Sequence, residues 1–288
     1  MNISIVAVPY QMDVARWNYA LGPAAFLDAG LVARLEALGH RVQGPVCITL
    51  PRSEYTRDTV TNLGRIAART SQAVSEALTQ PDSFVIVLEG DCTHAVGAVG
   101  GLSCAVPAPG VVWLDAHGDL HTYATTGTGY VGGMPYAVML GWDLADWREA
   151  ARLTTPIRPE VAALIGASDL DPEEIQALEQ HRLPRLDADA LQEDVGAKVQ
   201  ALLKPLHSQA VGWYLHIDVD VAGPDTVPGG MTPTPHPPSR AARLEAVRMT
   251  TRTLPVRVMS LATYNPSGDV DRLGAHFGLD MVEQALAR

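Results

Sequence analysis

Residues 111–119 read Val-Val-Trp-Leu-Asp115-Ala-His117-Gly-Asp119. Four consecutive apolar residues opened by a valine pair are the mark of a strand covered on both faces. The polar residues after them then stand at its carboxyl end. Alternate side chains of an extended chain share a face, so Asp115, His117 and Asp119 are expected to converge. Similar short runs occur at Ile3–Val8, Phe84–Leu88, Val161–Ile165, Trp213–Val221 and Val256–Leu261. The run from Trp213 carries Asp218 and Asp220, again two apart.

Amphipathic segments lie between these runs. Leu27, Leu31, Leu35 and Leu38 follow Gly22-Pro23 at helical spacing, and Gly39 ends them. Asp171-Pro-Glu-Glu174 is a helix start with an acidic cap, proline at the first position and glutamate at the third. Further helices are expected over about 57–79, 188–203, 238–251 and 269–287. Repeated strand–helix alternation predicts one α/β domain over 1–288, a parallel sheet with helices on both faces. Pro224–Pro238 reads as a long loop inside that domain. Ligands of such sheets bind at the carboxyl ends of strands, where these aspartates stand.

The chain of 288 residues carries 32 acidic against 21 basic side chains, a formal charge of −11. Its lysines are Lys198 and Lys204, and no basic run exists, which argues against nucleic acid and favours a small cationic substrate. Three cysteines, Cys47, Cys92 and Cys104, are too scattered for a disulfide framework. No apolar run is long enough to span a bilayer, and the first residues lack a basic n-region. A cytoplasmic, reduced protein is expected, without a membrane partner.

Asp115, Asp119, Asp218 and Asp220 together would repel one another unless cations neutralise them. Two divalent ions balance four aspartates. Oxygen-rich donors with an imidazole suit Mn²⁺, and a two-metal site makes a bridging hydroxide suited to hydrolysis. A single aspartate would more often cap a turn; two Asp-x-Asp/His spacings, each after a buried strand, favour metal. His216 shares the face of Asp218 one step deeper, either as a hydrogen-bond partner to a ligand or as a core histidine. His94 is expected to point away from the site. The spacing Gly127-x-Gly129-x-x-Gly132 follows a polar loop, so it reads as a turn over the cleft and not as a dinucleotide site.

The chain resembles the ureohydrolases, the family of arginase, agmatinase and formimidoylglutamase. The resemblance rests on Leu88-Glu-Gly-Asp91-Cys92-Thr, Trp113-Leu-Asp115-Ala-His117-Gly-Asp119 and Ile217-Asp218-Val-Asp220. Gly22-Pro23, Ile165-Gly-Ala-Ser-Asp169-Leu-Asp171-Pro and Tyr264-Asn-Pro266 extend it along nearly the whole chain. It implies a three-layer α/β/α sandwich with a mostly parallel, about eight-stranded sheet, and assembly into homo-oligomers. It also implies that Asp115 and Asp218 bridge two Mn²⁺ ions, that His117 and Asp220 complete one site, and that Asp119 serves the other. A metal-bridged hydroxide would attack a guanidinium or amidine carbon, with His117 and Asp119 the candidate catalytic residues.

Three departures stand out. The family's Gly-Asp-His is Gly90-Asp91-Cys92 here, and a thiolate ligand favours softer ions such as Zn²⁺, Fe²⁺ or Ni²⁺. The family's proton-handling His-Gly appears as Gly132-Gly133-Met-Pro135. Thr263 replaces a glutamate that grips the guanidinium, and a hydroxyl cannot make that charged contact. Asp171 matches a position near the substrate's far end. These departures argue against strict arginase activity while leaving a hydrolase of another C–N bond. The rival reading is a non-catalytic relative acting as a binding or structural subunit. A third reading makes Cys92 a nucleophile, which needs a base nearby and an electropositive setting.

Overall fold

The computed structural model describes residues 1–224, 226–228 and 234–287. Its strands are β1 (Asn2–Val8), β2 (Tyr10–Gln11), β3 (Val14–Ala15), β4 (Arg41–Cys47), β5 (Ser83–Glu89), β6 (Gly110–Leu114), β7 (Ala162–Ile165), β8 (Arg185–Leu186), β9 (Trp213–Ile217) and β10 (Val256–Leu261). The helices are α1 (Gly22–Asp28), α2 (Leu31–Ala37), α3 (Thr59–Ala77), α4 (Ala95–Ala105), α5 (Pro135–Met139), α6 (Ala145–Ala150), α7 (Pro172–His181), α8 (Val195–Leu203), α9 (Arg240–Thr253) and α10 (Leu273–Leu286).

Eight strands form one sheet in the order β4-β1-β5-β10-β9-β6-β7-β8, and every neighbouring pair is parallel. Helices α3 to α6 pack together as one layer, and α1, α2, α8, α9 and α10 as another. This is the expected α/β/α sandwich. Every residue of β5, β6 and β9 is buried, which is why these runs are apolar on both faces. Among the described residues no helix is long and apolar enough to cross a membrane.

Several element bounds differ from the sequence expectation, each for a local reason. The leucine-rich segment after Gly22 is two helices, because Gly30 adopts φ +96° between them. The segment 188–203 is a short 3₁₀ turn and then α8, with Asp194 at φ +52° between. Helix α10 starts only at Leu273, where Asp269 accepts hydrogen bonds from the amides of Leu273 (2.8 Å) and Gly274 (2.7 Å). The run from Trp213 leaves the sheet after Ile217 and becomes a 3₁₀ turn over Val219–Ala222. Within the proline-rich stretch 224–238, residues 225 and 229–233 lie outside the described residues.

The sheet order has a consequence for chemistry. β5, β10, β9 and β6 are consecutive neighbours at its centre. Their carboxyl ends deliver Asp91 and Cys92, Thr263, Asp218 and Asp220, and Asp115 to Asp119, respectively. Four separate sequence motifs thereby meet at one edge.

Candidate metal centre

A cleft of about 300 Å³ opens at that edge, lined among others by Asp91, Cys92, His117, Asp119, Asp218, Asp220 and Thr263. The convergence expected from strand alternation is made instead by turns. Asp115 Oδ1 accepts from the amide of His117 at 2.8 Å, and Asp218 Oδ1 accepts from the amide of Asp220 at 2.8 Å. Each aspartate thus folds its own loop back, and capping and site formation are the same act. The Trp113 indole donates to the other oxygen of Asp115 at 3.0 Å.

Among the described residues three groups of donors result; His121, Asp171 and Glu174 form one on the cleft wall, and the other two lie at the strand ends. Asp115, His117 and Asp220 form one: His117 Nδ1 lies 3.3 Å from Asp115 Oδ1 and 3.3 Å from Asp220 Oδ2. Cys92, Asp115, His216 and Asp218 form the other, with all four donor atoms within 4.8 Å of one another. Cys92 Sγ donates to Asp218 Oδ2 at 2.8 Å and lies 3.3 Å from Thr263 Oγ1. Asp119 stands outside these groups but lines the same cleft, 7% exposed, its Oδ2 buried and without a hydrogen-bond partner among the described residues.

Electrostatics follow from crowding. Burial first, and then the nearby Asp220, push the Asp115 carboxyl up to about 6. Burial, reinforced by neighbouring carboxylates, holds Asp119 and Asp218 well above the usual carboxylate range. Burial opposes a charge on His117, but Asp220 and Asp115 outweigh it and raise its imidazole well above the histidine range. Burial and Asp218 raise the Cys92 thiol. Such a site is short of positive charge. The orphaned oxygen of Asp119 and the shared position of Asp115 between both donor groups fit a pair of divalent cations.

Thr263 carries φ +64°, a left-handed conformation that a β-branched residue adopts only under constraint. Its amide donates to the carbonyl of Gly90 at 3.0 Å, which fixes it beside Cys92. Gly90 is itself without alternative, since a Cβ there would lie 1.9 Å from the Tyr10 carbonyl oxygen. Asp171 caps α7 in a reciprocal box with Glu174, as its sequence predicts, and its Oδ2 lies 2.9 Å from His121 Nε2 on the cleft wall. His94 is not one of the donors: its Nε2 lies 2.9 Å from the Tyr10 carbonyl and 3.7 Å from Asp91 Oδ1.

A profile of the arginase family matches residues 1–287. The chain belongs to the arginase family. Arginase of Brevibacillus brevis is 31% identical over 245 residues, covering 81% of this chain and 80% of that protein. The crystal structure of Bacillus subtilis arginase superposes with a TM-score of 0.90 at 26% identity, covering 100% of this chain and 99% of that one. Formimidoylglutamase of Bacillus subtilis shares the fold, with a TM-score of 0.79 at 16% identity, covering 99% and 86%.

Two features of this arginase-family chain escape sequence reasoning. Tyr130 lines the cleft, and Gly132 gives it room, because a Cβ at 132 would meet its ring at 2.2 Å. The glycine spacing Gly127–Gly132 was the available signal, a loop turning over the site. The other is the closeness of His216 to Cys92, with Nε2 and Sγ 3.4 Å apart. Its spacing of two from Asp218 marked the face but not the contact.

Proposed function

We propose that this arginase-family protein is a metal-dependent hydrolase of a C–N bond in a guanidino or amidino compound other than arginine. The observation that carries this reading is the buried donor set at the ends of β6 and β9, beside a buried Asp119 oxygen that has no hydrogen-bond partner among the described residues. Asp115 and Asp218 would be shared between two divalent cations, His117 and Asp220 would hold one, and Asp119 with Cys92 the other. When bound, such ions supply an activated water at neutral pH and neutralise the carboxylates.

The chain's own residues set the rest. Asp91, Asp169, Asp171 and Glu174 line the same cleft, so it attracts a cationic substrate. Thr263 offers a neutral hydroxyl where charge-assisted gripping of a guanidinium would need a carboxylate. His121, held by Asp171, is the cleft imidazole outside the strand-end donor groups and takes the role of proton carrier to the leaving amine.

The test is a screen of metal-loaded protein against guanidino, amidino and formimidoyl compounds. Urea, ammonia or formamide release is read beside an Asp218→Asn, Asp220→Asn double variant. Turnover of at least one class by the wild type alone supports the reading. No turnover by protein shown to carry its metals would favour the rival, a non-catalytic binding subunit, to which the Cys92, Gly132-Gly133 and Thr263 departures point.

A further inference from the structure

His216 lies outside the ligand set that the motifs of this chain suggest, yet its surroundings are those of a ligand. Its ring is fully buried and stacked on Trp113, with centroids 3.6 Å apart. The two residues are register partners on β9 and β6, so the sheet itself fixes the stack. Nδ1 faces Ser260 Oγ at 2.9 Å, the Tyr214 hydroxyl at 3.2 Å and Glu89 Oε2 at 3.6 Å. A proton on Nδ1 directed at that group leaves the Nε2 lone pair turned toward Cys92 Sγ. A hydroxyl or carboxylate on the far nitrogen is the usual support of a metal-bound imidazole.

Distances agree with this role. A tetrahedral ion with metal–sulfur of about 2.3 Å and metal–nitrogen of about 2.05 Å separates the two donors by about 3.6 Å. Nε2 and Sγ stand 3.4 Å apart. Asp218 Oδ2, at 2.8 Å from Sγ, would have to open by less than about 1 Å to meet the same geometry. Asp119, the carboxylate that the motifs assign to the ion beside Cys92, lies outside this group of four donors, and His216 stands in the group in its place.

We infer that Cys92, His216, Asp115 and Asp218 form one four-coordinate site of one sulfur, one nitrogen and two oxygens, seated on the sheet and selective for a thiophilic ion such as Zn²⁺ or Fe²⁺ over Mn²⁺. The imidazole that Cys92 displaces from the end of β5 is thereby supplied from β9. This inference rests on the two-cation reading above and names the donors and ion class of one of its sites. A mixed centre follows: the thiolate site takes the soft ion, while Asp115, His117 and Asp220 keep a harder one.

The test is X-ray absorption on full-length protein loaded with one equivalent of Zn²⁺, using wild type, His117→Ala, His216→Gln and Cys92→Ser. The expected result is one sulfur near 2.3 Å together with imidazole scattering in wild type and His117→Ala. His216→Gln is expected to lose the imidazole and keep the sulfur. Zinc coordinated by oxygen and nitrogen without sulfur would overturn the inference while leaving a metal enzyme intact. Sulfur without imidazole in His117→Ala would overturn it too, making His216 a mere neighbour of the thiolate. Failure to bind any ion would refute the two-cation reading itself. The His117→Ala arm decides the matter even where His216→Gln does not fold.

Discussion

Replacing Asp115 by asparagine should change stability in opposite directions with and without metal. Asp115 is buried, and its carboxyl is pushed from 3.8 up to about 6. A carboxyl with a folded pKa above its unfolded value destabilises the fold at high pH. The penalty is absent below about pH 4, grows between about 4 and 6, and is constant above. Two units correspond to about 3 kcal/mol. Asparagine keeps one acceptor oxygen for the His117 amide or the Trp113 indole but not both, a loss of about 1 kcal/mol. In chelator at about pH 8 the variant should therefore be more stable by about 2 kcal/mol, and at about pH 4 slightly less stable than wild type. With metal at about a hundred times its dissociation constant, wild type gains about 2.7 kcal/mol that the variant lacks, and the order reverses. Urea midpoints read by tryptophan fluorescence at both pH values, with chelator and with Mn²⁺, give the four numbers needed. A variant less stable in chelator at high pH, by the same margin as at low pH, would instead make Asp115 a turn cap alone.

Three other perturbations follow from single contacts. Gly90→Ala places a methyl against the Tyr10 backbone, which has no flexible end to yield; chemical denaturation should show a loss at or above the ~3 kcal/mol end of overpacking costs. Glu174→Ala frees the amides of Leu120 and Asp171, now bonded at 3.0 and 3.1 Å, and should cost about 2–4 kcal/mol, with Glu174→Gln recovering part of it by the same assay. Phe277→Ala removes a fully buried ring from beneath the Arg243 guanidinium, 4.8 Å away, and should cost about 3–5 kcal/mol while metal content stays unchanged.

The parts of this molecule legible in its sequence are those where burial dictates composition. β5, β6 and β9 lie at the sheet's centre and read as unbroken apolar runs. β4 does not, because it is an edge strand, mostly exposed, with Gly44-Pro45 inside it. β8 has two half-buried residues and leaves no pattern at all. At the site, residue types and spacing mark Asp115, His117, Asp119, Asp218 and Asp220 as candidates, and the structure brings all but Asp119 into donor groups, though not by the route that spacing suggests. Turns closed by the aspartates, and not strand alternation, bring them together. Tyr130 over Gly132, and His216 against Cys92, are contacts between distant or folded-back segments that no local period encodes.

The cleft, on this reading, is a two-cation site built on Asp115 and Asp218. Its most direct test is metal content per chain by elemental mass spectrometry, on protein purified without chelator and then offered Mn²⁺, Zn²⁺ and Ni²⁺. The same measurement is made on an Asp218→Ala, Asp220→Ala double variant. About two equivalents are expected in wild type, lost in the variant. Wild-type protein that binds no metal under any of these conditions would contradict it.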